Sequence, residues 1–191
     1  MKICVYGASS DAIDKEFIRT GEALGRSMAE RGHELIFGGG AHGMMGAVAR
    51  GMTEKGGRII GVAPSFFHVD GVLYEQCDEF VYTETMRERK QLMEERADAF
   101  VMSPGGIGTL EEFFEILTLK QLGRHAKPIA VLNTDRYYDA IGELLQTAVE
   151  RHFMQQASLK LFGIFEDVGK LLDYLEQDEG KTADIHETKF F

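Results

Sequence analysis

Short apolar runs alternate with longer amphipathic segments along almost the whole of this 191-residue chain. The apolar runs predict strands at residues 3–6, 34–37, 58–63, 79–82, 99–102, 128–132 and 161–165. The segments between them predict helices at residues 17–31, 44–55, 84–97, 109–122, 137–153 and 168–175. Strands that alternate with helices favour a parallel sheet with helices on both faces. The pattern therefore predicts the α/β class.

The chain is long enough to bury a sizeable core, and no linker or repeat divides it. We predict one domain over residues 1–177, followed by a polar and partly disordered tail over 178–191. The first apolar run is too short for a secretory signal, and no stretch reaches the length of a membrane span. Cys4 and Cys77 lack metal-ligand spacing, which favours reduced thiols in a cytoplasmic protein.

The formal net charge of the chain is −10 at pH 7. An acidic surface disfavours nucleic acid polymers and anionic membranes as partners. A ligand the size of a nucleotide is still compatible with this charge, because local amides and one or two cations are sufficient to hold it. The six histidines are scattered without the spacing of a metal site, so we expect no metal and no other cofactor.

A glycine-rich turn at residues 103–108 separates an apolar strand from a helix. The first amide N–H groups of a helix have no partner within the helix, and the helix dipole adds partial positive charge there. Pro104 stiffens the turn, and the three glycines let a ligand approach without Cβ clashes. Such a turn is typical of an anion site, usually one for phosphate.

A second glycine-rich turn at residues 38–43 also follows a strand and matches the pattern G-x-G-x-x-G. The match alone is weak, because a tight turn without a ligand needs the same glycines. A dinucleotide site would place an acidic residue near the end of the next strand, and residues 61–64 contain none. With the loops at 7–10, 63–65 and 103–108, this turn should meet one edge of the sheet and form a single site.

Arg89 and Glu112 are charged residues at apolar helix positions. Arg89 lies four residues before Met93, so its guanidinium needs an anion, which is either an internal carboxylate or a ligand phosphate. Glu112 shares a stripe with Ile116, where burial would raise its pKa and nearby amides or Arg89 would lower it. A structural alternative exists for Glu112, because Thr109-x-x-Glu112 also matches a capping box.

Three motifs, taken in order, resemble the Lonely Guy family. P-G-G-I-G-T-L-E-E at residues 104–112 matches the family signature P-G-G-x-G-T-x-x-E. G-G-G-A-H-G-M-M-G at 38–46 is similar to its second glycine motif, and M-R-E-R-K at 86–90 is similar to its M-x-x-R-K element. The resemblance extends over residues 2–177. It implies a Rossmann-like fold and a phosphoribohydrolase, which releases a free base from a nucleoside 5′-monophosphate and leaves ribose 5-phosphate.

The resemblance also assigns roles to individual residues. It implies that Arg89 and Glu112 are the catalytic pair, and that the signature turn, Lys90 and Thr118 contact the nucleotide. Amides of the second glycine turn would also hold the 5′-phosphate. The candidate substrate-binding residues are therefore Gly39, Gly40, Gly43, Arg89, Lys90, Gly105, Gly106, Ile107, Gly108, Thr109, Leu110, Glu111 and Thr118.

The chemistry of the reaction agrees with these assignments. Breaking an N-glycosidic bond builds positive charge near C1′, which a fixed Glu112 carboxylate can stabilise while it orients or deprotonates water. Arg89 would either pair with the phosphate or polarise the leaving base. The alternative function is a nucleotide or cofactor carrier without turnover, but binding alone would not require this pair. A pyridoxal-dependent decarboxylase would need a lysine Schiff base, and neither glycine turn contains a lysine.

The predicted helix at residues 109–122 is apolar nearly all round. Such a helix is either deeply buried or covered by a partner subunit. Members of the Lonely Guy family are usually dimers with the site near the subunit interface. The resemblance therefore favours a homodimer that binds a small-molecule nucleoside monophosphate.

Overall fold

The computed structural model describes residues 1–182 and 184–189, and seven strands lie within these ranges. The strands are β1 (Lys2–Tyr6), β2 (Glu34–Phe37), β3 (Ile59–Pro64), β4 (Glu79–Thr83), β5 (Ala99–Met102), β6 (Ile129–Leu132) and β7 (Gly163–Phe165). They form one sheet in the order β4-β3-β2-β1-β5-β6-β7, and every neighbouring pair is parallel. The order reverses at β1, where Ile3 pairs with Leu35 on one side and with Ala99 on the other.

Seven α-helices lie in the same described ranges. They are α1 (Lys15–Glu30), α2 (Gly43–Glu54), α3 (Met86–Arg96), α4 (Ile107–Gln121), α5 (Asp139–Glu150), α6 (Val168–Gln177) and α7 (Ile185–Thr188). The prediction of a parallel sheet with Rossmann-like α/β architecture is confirmed.

The core consists of two apolar layers, one on each face of the sheet. One layer joins the sheet to α1, α2 and α6 through Val5, Leu24, Phe37, Val48 and Leu172. The other joins it to α3, α4 and α5 through Tyr6, Met93, Phe100, Phe113 and Leu145. Burial on both faces explains why β5 and β6 are continuous apolar runs rather than alternating ones.

The predicted element types hold, whereas several predicted ends do not. The strands at 34–37 and 99–102 have the predicted bounds. Helix α4 begins at Ile107, two residues before the prediction, because Gly106 has extended backbone and serves as its N-cap. Helix α5 begins at Asp139, since a 3₁₀ turn over Thr134–Arg136 precedes it.

The predicted polar tail begins after Gln177, and residues 183, 190 and 191 of it lie outside the described residues. Its short helix α7 was not predicted. Thr188 is buried, and its Oγ1 donates a hydrogen bond of 2.8 Å to the carbonyl of Gln121. The Gln121 side chain donates in return to the carbonyl of Thr188 at 3.1 Å. The tail therefore packs against the C-terminal end of α4.

None of the helices in the described ranges is long and apolar enough to cross a membrane. Cys4 is buried and Cys77 is half-buried, and both are free thiols. Burial raises the pKa of each thiol to about 12, so thiolate is scarce at neutral pH.

Candidate active site

The carboxyl ends of β1, β2 and β5 border a cleft of about 720 Å³ at one edge of the sheet. This is the reversal point of the strand order, where ligands of open α/β sheets usually bind. The cleft is lined by Gly7, Ala8, Ser9, Ser10, Gly38, Gly40, His42, Met45, Phe67, Asp70, Gly71, Val72, Leu73, Met86, Arg89, Gly106, Gly108, Thr109 and Glu112. The expected loops at 7–10, 38–43 and 103–108 do meet here, whereas residues 63–65 do not line the cleft. The segment after β3 instead contributes Phe67 and residues 70–73.

Arg89 and Glu112 form a buried ion pair at the base of this cleft. Arg89 lies on α3 and Glu112 on α4, and the two residues are 7% and 9% exposed. The Nη1 group of Arg89 donates to Oε1 of Glu112 at 2.7 Å. The Nε group of Arg89 donates to the carbonyl of Val62 on β3 at 3.2 Å, which fixes the plane of the guanidinium. The sequence left open whether Arg89 pairs with an internal carboxylate or with a ligand phosphate. In the structure its partner is the carboxylate of Glu112.

The electrostatics of Glu112 combine two opposing effects. Burial raises the pKa of its carboxyl, and the charge and hydrogen bond of Arg89 offset part of this rise. The result is a pKa above the ordinary value of 4.5. A shielded carboxylate that is held by a cation is suited to stabilising positive charge or to accepting a proton.

The capping box considered as the structural alternative for Glu112 does not form. Thr109 is the third residue of α4 rather than its N-cap, because the helix begins two residues earlier. The Glu112 side chain bonds to Arg89 instead of returning to the backbone of Thr109. A capping box with the same T-x-x-E pattern does occur at the start of α3, between Thr85 and Glu88. This capping box stabilises the helix that carries Arg89.

The N-terminus of α4 is open. No side chain caps it, and the first three N–H groups, of Ile107, Gly108 and Thr109, have no acceptor in the described part of the chain. The first backbone bond of the helix runs from Leu110 N–H to the carbonyl of Gly106 at 3.0 Å. An added Cβ at Gly106 or Gly108 would meet no heavy atom within 4 Å. Free amides, a helix dipole and open space coincide at this point of the cleft.

The N-terminus of α2 differs, because two of its first three N–H groups bond within the chain. The Gly43 N–H group donates to Asp11 Oδ1 at 2.8 Å, and Met45 N–H donates to the carbonyl of Ala8 at 3.2 Å. The Ala41 N–H group donates to the carbonyl of Val72 at 3.0 Å. The turn before α2 therefore shapes the cleft and holds neighbouring loops.

Five predicted substrate-binding residues line the cleft, together with the predicted catalytic Glu112. These five are Gly40, Arg89, Gly106, Gly108 and Thr109. The predicted substrate-binding residues outside this lining are Gly39, Gly43, Lys90, Gly105, Ile107, Leu110, Glu111 and Thr118. The contacts of these residues with a nucleotide remain predictions.

Lys90 has partners of its own on the outer side of α4. Its Nζ group contacts Glu111 Oε1, and it lies 2.8 Å from Glu115 Oε2. Burial alone would lower the pKa of Lys90, but the two carboxylates outweigh burial and raise it. Lys90 is therefore a charged residue that a carboxylate pair already satisfies.

The sequence pattern did not identify the apolar wall of the cleft. Phe67, Val72 and Leu73 lie on the segment between β3 and β4 and line the cleft together with Met45 and Met86. A single antiparallel bridge from Leu73 to the turn before α2 holds this segment in place. Two consecutive phenylalanines in a loop at the carboxyl end of a parallel strand were the available signal, since such loops build ligand sites.

The fold and the cleft together define a Rossmann-like α/β protein with an uncapped helix N-terminus beside a buried acid–cation pair. Among solved structures, the chain is similar to the molybdenum cofactor carrier protein of Chlamydomonas reinhardtii, with a TM-score of 0.68 and 23% identity. The match covers 94% of this chain and 98% of that one. At this level of identity the likeness shows the fold alone.

The sequence comparisons place the chain within a family. A family profile described as possible lysine decarboxylase matches residues 45–175. The probable cytokinin riboside 5′-monophosphate phosphoribohydrolase of Oryza sativa subsp. japonica is 37% identical over 92% of this chain and 76% of its own length. The cytokinin riboside 5′-monophosphate phosphoribohydrolase of Arabidopsis thaliana is 32% identical over 96% and 86%. The chain belongs to this family, the Lonely Guy family of nucleoside 5′-monophosphate phosphoribohydrolases.

Proposed function

We propose that the chain hydrolyses the N-glycosidic bond of a purine nucleoside 5′-monophosphate, of the AMP or cytokinin type, and releases the free base and ribose 5-phosphate. The observation that carries the proposal is the buried Arg89–Glu112 pair, which shares one cleft with the uncapped N-terminus of α4. The activity named for the rice and Arabidopsis relatives supports the same reaction.

The 5′-phosphate would bind at the N-terminus of α4. The free amides of Ile107, Gly108 and Thr109 are donors for its oxygens, and the helix dipole favours its negative charge. The phosphate is remote from the bond that breaks, so its binding energy can be used to hold the ribose in place. Glu112 follows Thr109 by three residues, or about 4.5 Å along the axis of the same helix.

Glu112 would act at C1′ of the ribose. The bond between C1′ and the base nitrogen breaks, and its electron pair leaves with the base. The ribose then has oxocarbenium character, which the carboxylate of Glu112 stabilises. Glu112 also accepts a proton from the attacking water, whose oxygen forms the new bond to C1′. The proton that Glu112 takes passes to the base nitrogen, directly or through solvent, which restores the carboxylate and divides the elements of one water between the two products.

Arg89 would orient Glu112 and contact the substrate. Its Nη1 and Nε groups bond to Glu112 and to the carbonyl of Val62. Its Nη2 group has no acceptor in the described ranges and faces Gly38, where an added Cβ would lie only 2.1 Å away. Nη2 can therefore donate to the phosphate or to the leaving base without breaking either of these bonds.

The base would pack against the apolar wall of the cleft. Phe67, Val72, Leu73, Met45 and Met86 supply an aromatic ring, branched aliphatic groups and two flexible thioethers. Such a surface suits a flat purine, and the two methionines can adapt to an apolar substituent on it.

The test of this function is turnover of AMP and adenosine side by side, with free adenine measured by chromatography. We expect release of adenine from AMP and very little from adenosine, because adenosine lacks the phosphate. Sulfate should compete with AMP, since it fits the same amides. N6-substituted AMP in the same assay shows the preference for the base. Tight binding of AMP without release of adenine would instead favour the carrier function.

We further propose that the active form is a homodimer that buries the outer side of α4. Within one chain, Phe113 and Ile116 are buried, whereas Leu119 is partly exposed and Leu122 is 36% exposed. A charged substitution, Leu119→Glu, should impair association and reduce activity. Light scattering at micromolar concentration is the direct measurement. A monomer of 21.4 kDa that hydrolyses AMP would contradict the proposal.

A further inference from the structure

Two consecutive tyrosines after β6 contact the glycine-rich turn before α4. Strands β5 and β6 are neighbours in the sheet, so the loops at their carboxyl ends lie side by side. The hydroxyl of Tyr138 donates to the carbonyl of Ser103 at 2.9 Å. The hydroxyl of Tyr137 donates to the carbonyl of Gly105 at 3.0 Å. Neither tyrosine lines the cleft, so any effect on a ligand must act through the turn.

The tyrosine pair is held firmly from its own side. Asn133 Oδ1 accepts from the N–H group of Tyr138 at 2.7 Å, and the same side chain donates to Asp139 Oδ1 at 2.8 Å. The ring of Tyr137 packs edge-on against Phe17, with 5.8 Å between the ring centroids. The two residues before the pair have left-handed backbone, with φ of 51° and 58°. This conformation is uncommon for non-glycine residues, so the contacts around the pair help to hold it.

Three successive carbonyls of the turn are thereby bonded to donors of the protein. Between those of Ser103 and Gly105, the carbonyl of Pro104 accepts from the N–H group of Ala8 at 3.1 Å. All described peptide bonds are trans, so each carbonyl points opposite to the N–H group of the same peptide unit. With the carbonyls of Pro104 and Gly105 directed at Ala8 and Tyr137, the N–H groups of Gly105 and Gly106 point away from these donors.

We propose that Tyr137 and Tyr138 are positioning residues for the phosphate-binding turn of the proposed phosphoribohydrolase. Gly105 and Gly106 have little intrinsic preference for one backbone conformation, so the turn needs external contacts to keep its amides in a fixed direction. Tyr138 anchors the start of the turn at Ser103. Tyr137 fixes the peptide unit between the two glycines, immediately before the open N-terminus of α4. This inference rests on the proposed function.

The test is Tyr137→Phe, which removes one hydroxyl and keeps the ring against Phe17. We expect the Kd for inorganic phosphate, measured by calorimetry, to rise about two- to tenfold, the range of one net hydrogen bond. The KM for AMP should rise by a similar factor, with a smaller change in kcat. Inhibition by adenine, which has no phosphate, should be unchanged. A merely structural defect would not separate phosphate from adenine in this way.

Tyr174→Phe is the matched control. Tyr174 is a partly buried tyrosine on α6 that packs against Phe165, and its hydroxyl has no hydrogen bond in the described ranges. It should leave the phosphate Kd unchanged. Tyr138→Phe should weaken phosphate binding at least as much as Tyr137→Phe, because the carbonyl of Ser103 is buried. If Tyr138→Phe does not fold, the Tyr137→Phe result is sufficient.

The outcomes separate the two proposals. Unchanged phosphate affinity in Tyr137→Phe, with normal binding by the wild type, overturns the positioning role and leaves the proposed function intact. Weakened phosphate binding in Tyr137→Phe, with no turnover of any nucleoside monophosphate by the wild type, supports the positioning role and overturns the hydrolase function. Absence of phosphate binding by the wild type overturns the positioning role as well as the phosphate site.

Discussion

The turns before α2 and α4 are both rich in glycine, but the space around their glycines differs. Before α2, an added Cβ would lie 2.1 Å from Arg89 Nη2 at Gly38 and 2.5 Å from a backbone oxygen at Gly43. Before α4, an added Cβ at Gly106 or Gly108 would meet nothing within 4 Å. The turn before α2 needs glycine because protein atoms fill the space, and Gly105 at the start of the other turn is crowded in the same way, with an added Cβ 2.1 Å from Thr109 Oγ1. Gly106 and Gly108, by contrast, lie beside space that a ligand can use.

The amides of the two turns differ in the same sense. In α2, Asp11 and Ala8 accept from two of the first three helical N–H groups, whereas the first three of α4 have no acceptor in the described part of the chain. We infer that the phosphate is held by the turn before α4. The turn before α2 supports it by shaping the cleft and limiting where Arg89 can lie. A glycine motif thus indicates close approach, and its hydrogen bonds show whether protein or ligand approaches.

The largest expected effect comes from the ion pair that joins the two turns. Arg89 packs against Gly38 of the first turn, and Glu112 lies on the helix of the second. Glu112→Gln and Arg89→Ala should each lower kcat/KM for AMP by about 10²-fold or more, the usual scale for a positioned proton acceptor or charge-stabilising group. The measurement is release of adenine, with circular dichroism to confirm folding.

The control for this pair is Arg87→Ala. Arg87 lies two residues before Arg89 on α3 and is exposed, so its loss should change the rate little. Either Glu112→Gln or Arg89→Ala at nearly the wild-type rate would assign that residue a structural role only.

The next largest effects distinguish the glycines of the two turns directly. Gly38→Ala should reduce both stability and activity, because its Cβ displaces the guanidinium of Arg89. Gly108→Ala should raise the free energy of unfolding by up to about 1 kcal/mol, since alanine is the better helix former. Its methyl group would nevertheless occupy the proposed phosphate space, and we expect the KM for AMP to rise roughly tenfold, about the worth of one charge-assisted hydrogen bond.

Thermal melts and AMP kinetics on both glycine variants decide the comparison. Opposite effects on stability, with weaker AMP binding in Gly108→Ala, support separate uses of the two turns. If Gly108→Ala binds AMP as tightly as the wild type does, the N-terminus of α4 is not the phosphate site.

The residues that could be predicted from the sequence are those whose local pattern decides their environment. The apolar run at 99–102 gave a strand with correct bounds. Arg89, four residues from Met93 on one helix face, was correctly predicted to be buried. In both cases the periodicity of the chain carries the information, because burial on both faces or on one stripe requires it.

Identical local patterns with different outcomes could not be separated from sequence. T-x-x-E occurs at Thr85–Glu88 and at Thr109–Glu112, and only the first is a capping box. The second fails because α4 begins at Ile107 and because Arg89, distant in sequence, bonds Glu112. The position of the segment that contains Phe67 could not be predicted either. It depends on a bridge between Leu73 and Gly40, which are distant in sequence, and local hydrophobic periodicity carries no information about such a contact.

The pKa of Glu112, on the helix after one turn, is raised, whereas the pKa of Asp11, which bonds to the other turn, is lowered. The raised pKa of Glu112 predicts a third, smaller effect, on the pH dependence of activity. Burial raises the pKa of Glu112 on α4, and Arg89 offsets only part of the rise. In the proposed reaction Glu112 acts as a carboxylate, so kcat/KM should fall as the pH drops through its raised pKa. The acid limb should therefore lie above the ordinary glutamate value of 4.5. Arg89→Ala should move this limb to still higher pH, since the offset is lost.

The pH profile of kcat/KM for AMP is the measurement. A limb at or below the ordinary value for glutamate would contradict the assignment of Glu112. A limb that persists unchanged in Glu112→Gln would show that another group titrates.

The smallest expected effect is on stability, and it concerns Asp11, which bonds to the turn before α2. The N–H group of Gly43 is the leading cause that lowers the pKa of Asp11 below its ordinary 3.8, followed by the hydrogen bond with His42. A lowered folded-state pKa means that Asp11 stabilises the folded chain at neutral pH, and that this contribution is lost as the pH falls from about 3.8 towards the lower folded value. Asp11→Ala should lower the Tm slightly near pH 7, and the difference from the wild type should shrink in acid. Asp14→Ala is the matched control, because Asp14 is the N-cap of α1 without a side-chain hydrogen bond. Equal Tm losses in the two variants would show that the Asp11 cap adds nothing specific to the first turn.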